Sequence, residues 1–409
     1  MGNGEGVSVN PTVTGGIWRR RFGAGLLAGV LALAACSSDG DDSESTDDTP
    51  SPTVGPEPEP QPRRFSVVMS GDVLIHTGVW ESARDWAAAR GEKGMDFAPM
   101  FASLRPVYES ADLAICHLEV PLAEPDGPFL NYPIFSAPPQ VISGLKKAGI
   151  DTCTTASNHS LDTGWEGLKR TLDTLDAKGL PHAGTARTRK DSRTPLILDV
   201  ADVRVALLSY TYGTNGIPIP SAQPWSVPLI DPGDIRRDAH KARENGAEVV
   251  IVALHHGTEY MTQPDSYQRD VIDKITRSKN IDLVYGHHAH VPQPVDVVHG
   301  TWVAYGLGNF VAQQSTDVPD TYRGVTVKFT LVEQPDGRFE VDQAQFVPTM
   351  ITPYDGAPMR VLDIRSALRN PSTDPSLEPS LRDALANIKA DVYSLGAHRH
   401  GLTMMRPPG

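Results

Sequence analysis

The chain has 409 residues, 39% apolar, 21% charged and 7% aromatic, a mix that can bury one large core or two ordinary ones and excludes wholesale disorder. Asp and Glu number 50 against 37 Lys and Arg, a formal charge of −13, so the chain lacks the overall basic surface of a nucleic-acid binder. Three Cys exclude a disulfide-stapled scaffold, and no apolar stretch reaches the roughly 18 residues of a membrane span.

The first segment reads as an address. Trp18-Arg19-Arg20-Arg21-Phe22 is basic, Gly23 to Ala35 is small or apolar, and Leu33-Ala34-Ala35 leads into Cys36. A basic start, a short apolar stretch and small residues before a cut site make residues 1–35 a secretory signal. The Cys directly after Leu-Ala-Ala resembles a bacterial lipobox. That implies cleavage before Cys36, a lipid on its sulfur, and an extracytoplasmic protein anchored to the bacterial cell membrane; plain cleavage near Ala35 is the alternative. The Arg run also fits a twin-arginine export signal. Residues 36–64 read as a disordered acidic and Pro-rich tether. Ser37 to Pro62 holds eight acids and no bases, and its few apolar residues cannot offset the entropy of ordering.

From Phe65 onward short apolar runs alternate with helical stretches. Phe65–Met69, Leu113–Cys116, Val203–Tyr210, Val249–Leu254, Ile281–Tyr285 and Thr301–Tyr305 read as buried strands, and Asp151–Thr155 as a weaker one. Gly164 to Lys178 carries Leu168, Leu172 and Leu175 at helical spacing and stops at Gly179. Gly233–Asn245 and Asp265–Ser278 read as further helices. Val325–Leu331 and Phe339–Val347 flank Pro335-Asp336-Gly337, an antiparallel hairpin around an Asp-Gly turn. The alternation predicts an α/β fold with either a mixed sheet or two sheets packed face to face under helices. The main domain is expected over 65–360. A terminal helix over Ser380–Ser394 and a loose tail after Ala397 fall within 361–409.

The polar clusters sit just past the strands. Ser70-Gly71-Asp72 follows the first, with His76 close behind. Glu119 follows the second and Asn158-His159 the third, with Asp162 just after. His255-His256-Gly257, Gly286-His287-His288-Ala289-His290 and Gly308-Asn309 follow three more. Ligands in open α/β sheets bind beyond the carboxyl ends of strands. Carboxylates, an amide oxygen and several imidazoles together suit Mn, Zn or Fe, whereas carboxylates alone suit Mg or Ca. Asp72, Glu119, Asn158, His255, His288 and His290 are enough to hold two such ions. Gly-Asp and Asn-His alone are ordinary turns or caps, and His-x-His and His-His-Gly alone are ligands or supporting polar groups; their joint occurrence predicts a metal or catalytic centre.

Ser-Gly-Asp72, Leu-Glu119-Val-Pro121-Leu, Ala156-Ser-Asn158-His159-Ser-Leu-Asp162-Thr-Gly164, His-His-Gly-Thr-Glu259-Tyr260, Gly286-His-His-Ala-His290-Val-Pro-Gln293 and Tyr305-Gly-Leu-Gly308-Asn309-Phe310 resemble the capsule-synthesis CapA family, the poly-γ-glutamate biosynthesis proteins. The likeness runs from about Phe65 to Val311. It implies a four-layer α/β sandwich resembling calcineurin-like metallophosphoesterases, with a two-metal site. It implies that Asp72 and Glu119 hold and bridge the metals, and that Asn158, His255, His288 and His290 complete the set. His159 would then be the proton donor and Asp162 the group that orients its ring. His76, His287, Glu259 and Asn309 become substrate contacts or supports, with His287 the alternative ligand to His288 and His76 a ligand or a substrate contact. The family usually has Asn where this chain has His117, and Asn-Asn-His where it has Ser157-Asn158-His159.

The implied activity is a metal-dependent hydrolase or transferase in capsule or poly-γ-glutamate biosynthesis. Its implied partners are an anionic envelope polymer such as poly-γ-glutamate, other capsule-synthesis proteins, and the membrane through a lipid anchor, with no nucleic acid. The alternative is a catalytically inactive anchoring or assembly factor for an envelope polymer. Cys116 and Cys153, inside strands, are expected to be buried small hydrophobes rather than a disulfide. Trp80, Trp86 and Trp225 are expected in packing rather than in a polymer groove. Glu259-Tyr260 are expected to brace the His255 loop, and His398 and His400 to sit in a solvated end.

Overall fold

The computed structural model describes residues 61–407; the signal segment, Cys36 and nearly all of the tether lie outside them. In chain order the first half runs β1 (Arg64–Val73), α1 (Thr77–Ala88), α2 (Ala98–Phe101), α3 (Arg105–Glu109), β2 (Leu113–Leu118), α4 (Gln140–Ala148), β3 (Thr152–Thr154), α5 (Gly164–Ala177) and β4 (His182–Ala183). The second runs β5 (Leu196–Val200), β6 (Val203–Thr211), α6 (Pro232–Glu244), β7 (Val249–His255), α7 (Ser266–Thr276), β8 (Leu283–His287), β9 (Val295–Val298), β10 (Thr301–Ala304) and β11 (Asn309–Val311). The chain then returns through β12 (Arg323–Glu333), β13 (Phe339–Ile351), β14 (Val361–Asp363), α8 (Ile364–Arg369), α9 (Glu378–Tyr393) and β15 (Thr403–Met404).

The strands form two sheets. One is nine-stranded, in the order β14-β13-β12-β1-β2-β3-β4, with β11 pairing β1 and β15 pairing β13; the other is six-stranded, β5-β6-β7-β8-β10-β9. Each has a parallel centre, β1 to β4 and β6 to β10, with antiparallel strands at its margins. Alternation along each strand sorts the side chains into layers. Phe65, Val67 and Met69 of β1 meet Val203, Val205 and Leu207 of β6 and Ile251 of β7 in one core between the sheets. Val68, Ala114 and Cys116 point the other way, onto α1 to α5. Ala206, Leu208, Val250 and Val252 point outward onto α6 and α7. Of the two sheet arrangements, the structure has two sheets face to face under helices, four layers in all. Central strands buried on both faces need unbroken apolar runs, which is why those runs stand out in the sequence.

Helices α8 and α9 add Ile364, Leu381, Ala384 and Ile388 to the middle core, beside Phe329 and Phe346 of the hairpin. The tail expected to be loose is ordered. Ala397 and Leu402 are buried, Ala397–His400 form a 3-10 turn, and β15 pairs with β13. His398 packs its ring against Tyr393 at 5.3 Å. At the other end Arg63 pairs with Glu248 at 2.7 Å and Glu333 at 2.6 Å, tying the start of β1 to the second sheet and the hairpin.

Cys116 and Cys153 form a disulfide, contrary to the expected buried thiols. Strands β2 and β3 run parallel in a register that sets the two residues abreast, with Cα atoms 4.5 Å apart, inside the range a disulfide spans. The bond closes a loop over a sequence separation of 37 residues. Replacing both cysteines by Ala is expected to lower the unfolding free energy by about 3 kcal/mol. Urea denaturation of the double variant checks this, and an unchanged midpoint contradicts it.

Candidate metal centre

Strand register alone brings most of the polar clusters together. In the first sheet Asp72 of β1 stands level with His117 of β2 and Asn309 of β11, and His117 stands level with Thr154 of β3. In the second sheet His255 ends β7 level with His287, which ends β8. Both sheets present these carboxyl ends on one side, so residues from Asp72 to Asn309 meet over the seam between them. Two glycines make the close approach possible. A Cβ on Gly71 would lie 2.0 Å from the Gly308 carbonyl oxygen, and one on Gly286 would lie 1.9 Å from that of Tyr305. His288 and His290 take left-handed backbone conformations, φ 85° and 58°, an uncommon setting for residues with a side chain, held here by their contacts.

Asp72 orients the histidines around it. Its Oδ1 accepts from His287 Nδ1 at 2.7 Å, and its Oδ2 accepts from the His288 backbone N–H at 3.2 Å. His290 Nδ1 lies 3.2 Å from Asp72 Oδ2 and 3.0 Å from Asn309 Oδ1. The Asn309 amide N–H groups donate to the carbonyls of Thr321 and His290, which fixes its oxygen toward the ring. His290 therefore carries hydrogen on Nδ1 and turns Nε2 toward Glu119, 3.8 Å from its Oε1. His255 Nε2 lies 3.8 Å from the same oxygen and 2.8 Å from Asn158 Oδ1. Glu119 is 1% exposed, yet neither of its oxygens has a hydrogen-bond partner. His287 Nε2 and His288 Nδ1 are also buried without partners.

A buried carboxylate with unmet oxygens is costly unless it is protonated or faces a cation. Burial pushes the Glu119 carboxyl well above its ordinary value, against the pull of His290. Burial also raises Asp72, but the hydrogen bonds from His287 and His290 reverse this and hold it well below the usual range. For His290 burial is outweighed by Glu119 and Asp72, which raise it to about 9. Asp72, Glu119 and His290 each offer a ligand atom within 4.8 Å of the others; so do Glu259, His288 and His290, and Asp72, His117 and His287. Unmet oxygens, bare ring nitrogens and an amide oxygen are a donor set that fits divalent transition ions.

Beside this cluster His159 Nδ1–H donates to Asp162 Oδ2 at 2.8 Å, which also accepts the Phe135 backbone N–H at 2.8 Å. The Phe135 ring stands edge-on to both His159, at 4.9 Å, and His76, at 5.1 Å. His76 Nδ1 accepts from the Gln313 backbone N–H at 3.2 Å, which leaves that nitrogen engaged. Glu259 and Tyr260 lie at the exposed mouth, Glu259 within reach of His288 and His290. His256 turns away from the cluster toward Tyr267. Trp80 is buried, Trp86 lies under Arg360 and Trp225 under Arg189.

Several residues at the centre escape a reading of the sequence. His117 lies wholly buried, stacked on His287 at 3.9 Å; its signals are a His closing an apolar strand run and its place where the resembled family usually has Asn, and neither points to its partners. Tyr212, 4.6 Å from the His288 ring, has no motif. Among the described residues, the exposed large apolar side chains are Leu130, Tyr132 and Ile134 after β2, Tyr212 and Leu229 after β6, and Tyr260, Met261 and Tyr267 after β7. All lie in segments that follow strand ends on the side of the centre, and Tyr260 stands 6.3 Å from the His290 ring.

Residues 66–314 match the family model described as bacterial capsule synthesis protein PGA_cap. Similar proteins include the capsule biosynthesis protein CapA of Bacillus anthracis, 28% identical over 261 residues, covering 61% of this chain and 60% of that protein. The PGA biosynthesis protein CapA of Bacillus subtilis (strain 168) is 27% identical over 258 residues, covering 61% of this chain and 65% of that protein. The match thus spans less than two thirds of the length of these relatives. Among solved structures, the calcineurin-like phosphoesterase YfkN of Bacillus subtilis aligns at 15% identity and a TM-score of 0.43, covering 80% of this chain and 99% of that one. The NAD nucleotidase of Haemophilus influenzae aligns at 10% identity and a TM-score of 0.43, covering 85% of this chain and 65% of that one. Both are loose overlaps.

The electrostatics predict how the metal-free protein responds to acid. Burial holds His76 down to about 4 and His256 and His288 to about 3. It also holds His117 and His255 well below their ordinary value. Below about pH 6.5 an unfolded chain protonates all of these, so it binds more protons than the folded one. Glu119, Asp238, Asp282 and Asp391, all raised by burial, the last two to about 6, act in the opposite sense but are fewer than the held-down histidines; His290, raised, is protonated in both states there. Stability is expected to fall from pH 7 to pH 5, by about 1.4 kcal/mol per pH unit for each unmatched proton. Urea midpoints after chelation measure it, and a midpoint that is flat or rises on acidification contradicts it.

Proposed function

The chain belongs to the bacterial capsule synthesis protein PGA_cap family, and we propose that it is an extracytoplasmic, lipid-anchored, metal-dependent hydrolase or transferase acting on poly-γ-glutamate or another anionic envelope polymer. It would work beside other capsule-synthesis proteins. The observation that carries this reading is the Glu119 carboxylate, buried with both oxygens unmet, facing His255 and His290 at 3.8 Å each. Asp72, Glu119, Asn158, His255, His288 and His290 would hold divalent ions, two of the Mn, Zn or Fe class. Such ions, when bound, supply Lewis acidity to an acyl or phosphoryl oxygen.

The remaining work falls to this chain's own side chains. Asp162 keeps one hydrogen of His159 on Nδ1, so the doubly protonated ring can hand its Nε2 proton to the leaving group and return to the neutral Nδ1–H form. Phe135 shields that pair and, through its backbone N–H, keeps Asp162 pointed at the ring. Tyr132, Tyr212 and Tyr260 hold the substrate's chain over the opening. The buried Cys116–Cys153 disulfide supports a place outside the reducing cytoplasm. The Cys36 anchor rests on its Leu-Ala-Ala-Cys setting alone.

The purified protein is expected to hold divalent metal by elemental analysis and to turn over γ-glutamyl or phosphodiester substrates. His159→Ala is expected to keep the metal and lose about 10²-fold or more in kcat. A wild-type protein that binds polymer fully with no turnover of either class overturns the enzyme reading in favour of an assembly factor. Tyr132→Ala and Tyr260→Ala are each expected to raise KM about fivefold, from about 1 kcal/mol of lost ring contact, with metal content unchanged. Steady-state kinetics with an unchanged KM in both would remove the aromatic rim from substrate binding.

A further inference from the structure

His117 has both ring nitrogens engaged and no access to water. Its Nδ1 lies 2.9 Å from Thr154 Oγ1, and its Nε2 lies 3.0 Å from His255 Nδ1. His255 Nε2 in turn lies 2.8 Å from Asn158 Oδ1. These contacts form one row of hydrogen bonds, Thr154 to His117 to His255 to Asn158, and only one assignment of hydrogens satisfies it as it stands. The Asn158 oxygen can only accept, so His255 carries hydrogen on Nε2 and accepts on Nδ1. His117 then donates from Nε2 and accepts on Nδ1, and the Thr154 hydroxyl donates to it.

A cation on His255 needs the Nε2 lone pair, so the hydrogen of that ring must sit on Nδ1. Nδ1–H then needs an acceptor, and the neighbour it faces is His117 Nε2. His117 offers that lone pair when its own hydrogen is on Nδ1, donating to Thr154 Oγ1. The Thr154 hydroxyl then turns to the Cys116 carbonyl, 3.4 Å away. Both rings end in their other neutral tautomer, and the row holds the same number of protons before and after.

We propose that His117 is a positioning residue which, together with Thr154, sets the tautomer of His255 and through it the cation affinity of the centre. The fold holds this pair in place twice over. Cys116 and Cys153, joined by the disulfide, directly precede His117 and Thr154 on neighbouring strands whose register sets His117 level with Thr154. His287 lies flat on the His117 ring at 3.9 Å, with 17° between the planes. A ring clamped on its face and at both nitrogens cannot swing away when the hydrogens rearrange. The role belongs to His117 as an acceptor for a ligand's N–H, the kind of support whose loss weakens metal binding by about 10- to 100-fold.

The inference rests on the reading that the centre binds a divalent cation, and one experiment separates the two. Zn²⁺ affinity of the full chain is measured by competition with a chromophoric chelator for wild type, His117→Phe, Thr154→Val and Thr154→Ser. His117→Phe keeps the flat ring on His287 and removes both nitrogens; Thr154→Val keeps shape and removes the hydroxyl, which Thr154→Ser restores. Expected are losses of about 10- to 100-fold for His117→Phe and Thr154→Val, with Thr154→Ser close to wild type. Ring ¹⁵N spectra of wild type are expected to show His255 protonated at Nε2 without metal and at Nδ1 with Zn²⁺. If wild type takes up no Zn²⁺, the metal reading itself falls. If wild type binds and Thr154→Val binds as tightly as Thr154→Ser, or the His255 tautomer does not change, the role of His117 and Thr154 is overturned. The Thr154 pair decides the matter even where His117→Phe fails to fold.

Discussion

A carboxylate removed from water, with neither oxygen hydrogen-bonded, is costly to keep charged, and the architecture of the centre follows from it. Glu119 meets that description. Bare, it is driven toward its neutral form by burial; opposite a cation it would be charged and satisfied. Everything near it serves one of those two outcomes. Asp72 takes up the Nδ1 hydrogens of His287 and His290, which leaves the His287 Nε2 without a partner and turns the His290 Nε2 toward Glu119. Asn309 does the same for His290 from the other side. The result is that His255 and His290 each turn a ring nitrogen to within 3.8 Å of a carboxylate that has no hydrogen-bond partner of its own.

That arrangement needs two sheets. A single open sheet presents one row of strand ends, whereas here β1, β2 and β3 of one sheet face β7 and β8 of the other. The core between them, Phe65, Val67 and Met69 against Val205, Leu207 and Ile251, fixes the distance at which the two rows meet. A slip of one residue in either register would turn Asp72 or His255 to the opposite face of its strand. The disulfide across β2 and β3 and the backbone contacts allowed by Gly71 and Gly286 guard against such slips at the strand ends themselves.

Much of this was legible in the sequence, for a physical reason. Strands β1, β6, β7 and β8 are buried on both faces, so their apolar runs are unbroken and their polar ends conspicuous. Helices α1 and α4 leave little trace in the sequence. The buried face of α1 is made largely of Gly78, Ser82, Ala83 and Ala87, which carry little hydrophobic signal, and α4 spans only nine residues. The disulfide depends on register between parallel strands, which no local pattern encodes. His117 was visible as a residue but not as a participant, because its partners are Thr154 and His255, far along the chain in two other strands. The tail after Ala397 reads as loose because Leu402 and the Met404-Met405 pair form no periodic pattern, and Leu402 and Met404 find their places only against the middle core and β13.

The central claim is that Glu119 sits where cations bind, and anomalous X-ray diffraction from crystals grown with Mn²⁺ or Zn²⁺ tests it most directly. Data collected on either side of the metal's absorption edge are expected to place a peak about 2.0–2.2 Å from a Glu119 carboxylate oxygen, with Asp72, Asn158, His255 or His290 completing the coordination. Anomalous peaks found only elsewhere, with Glu119 still bare, would contradict it.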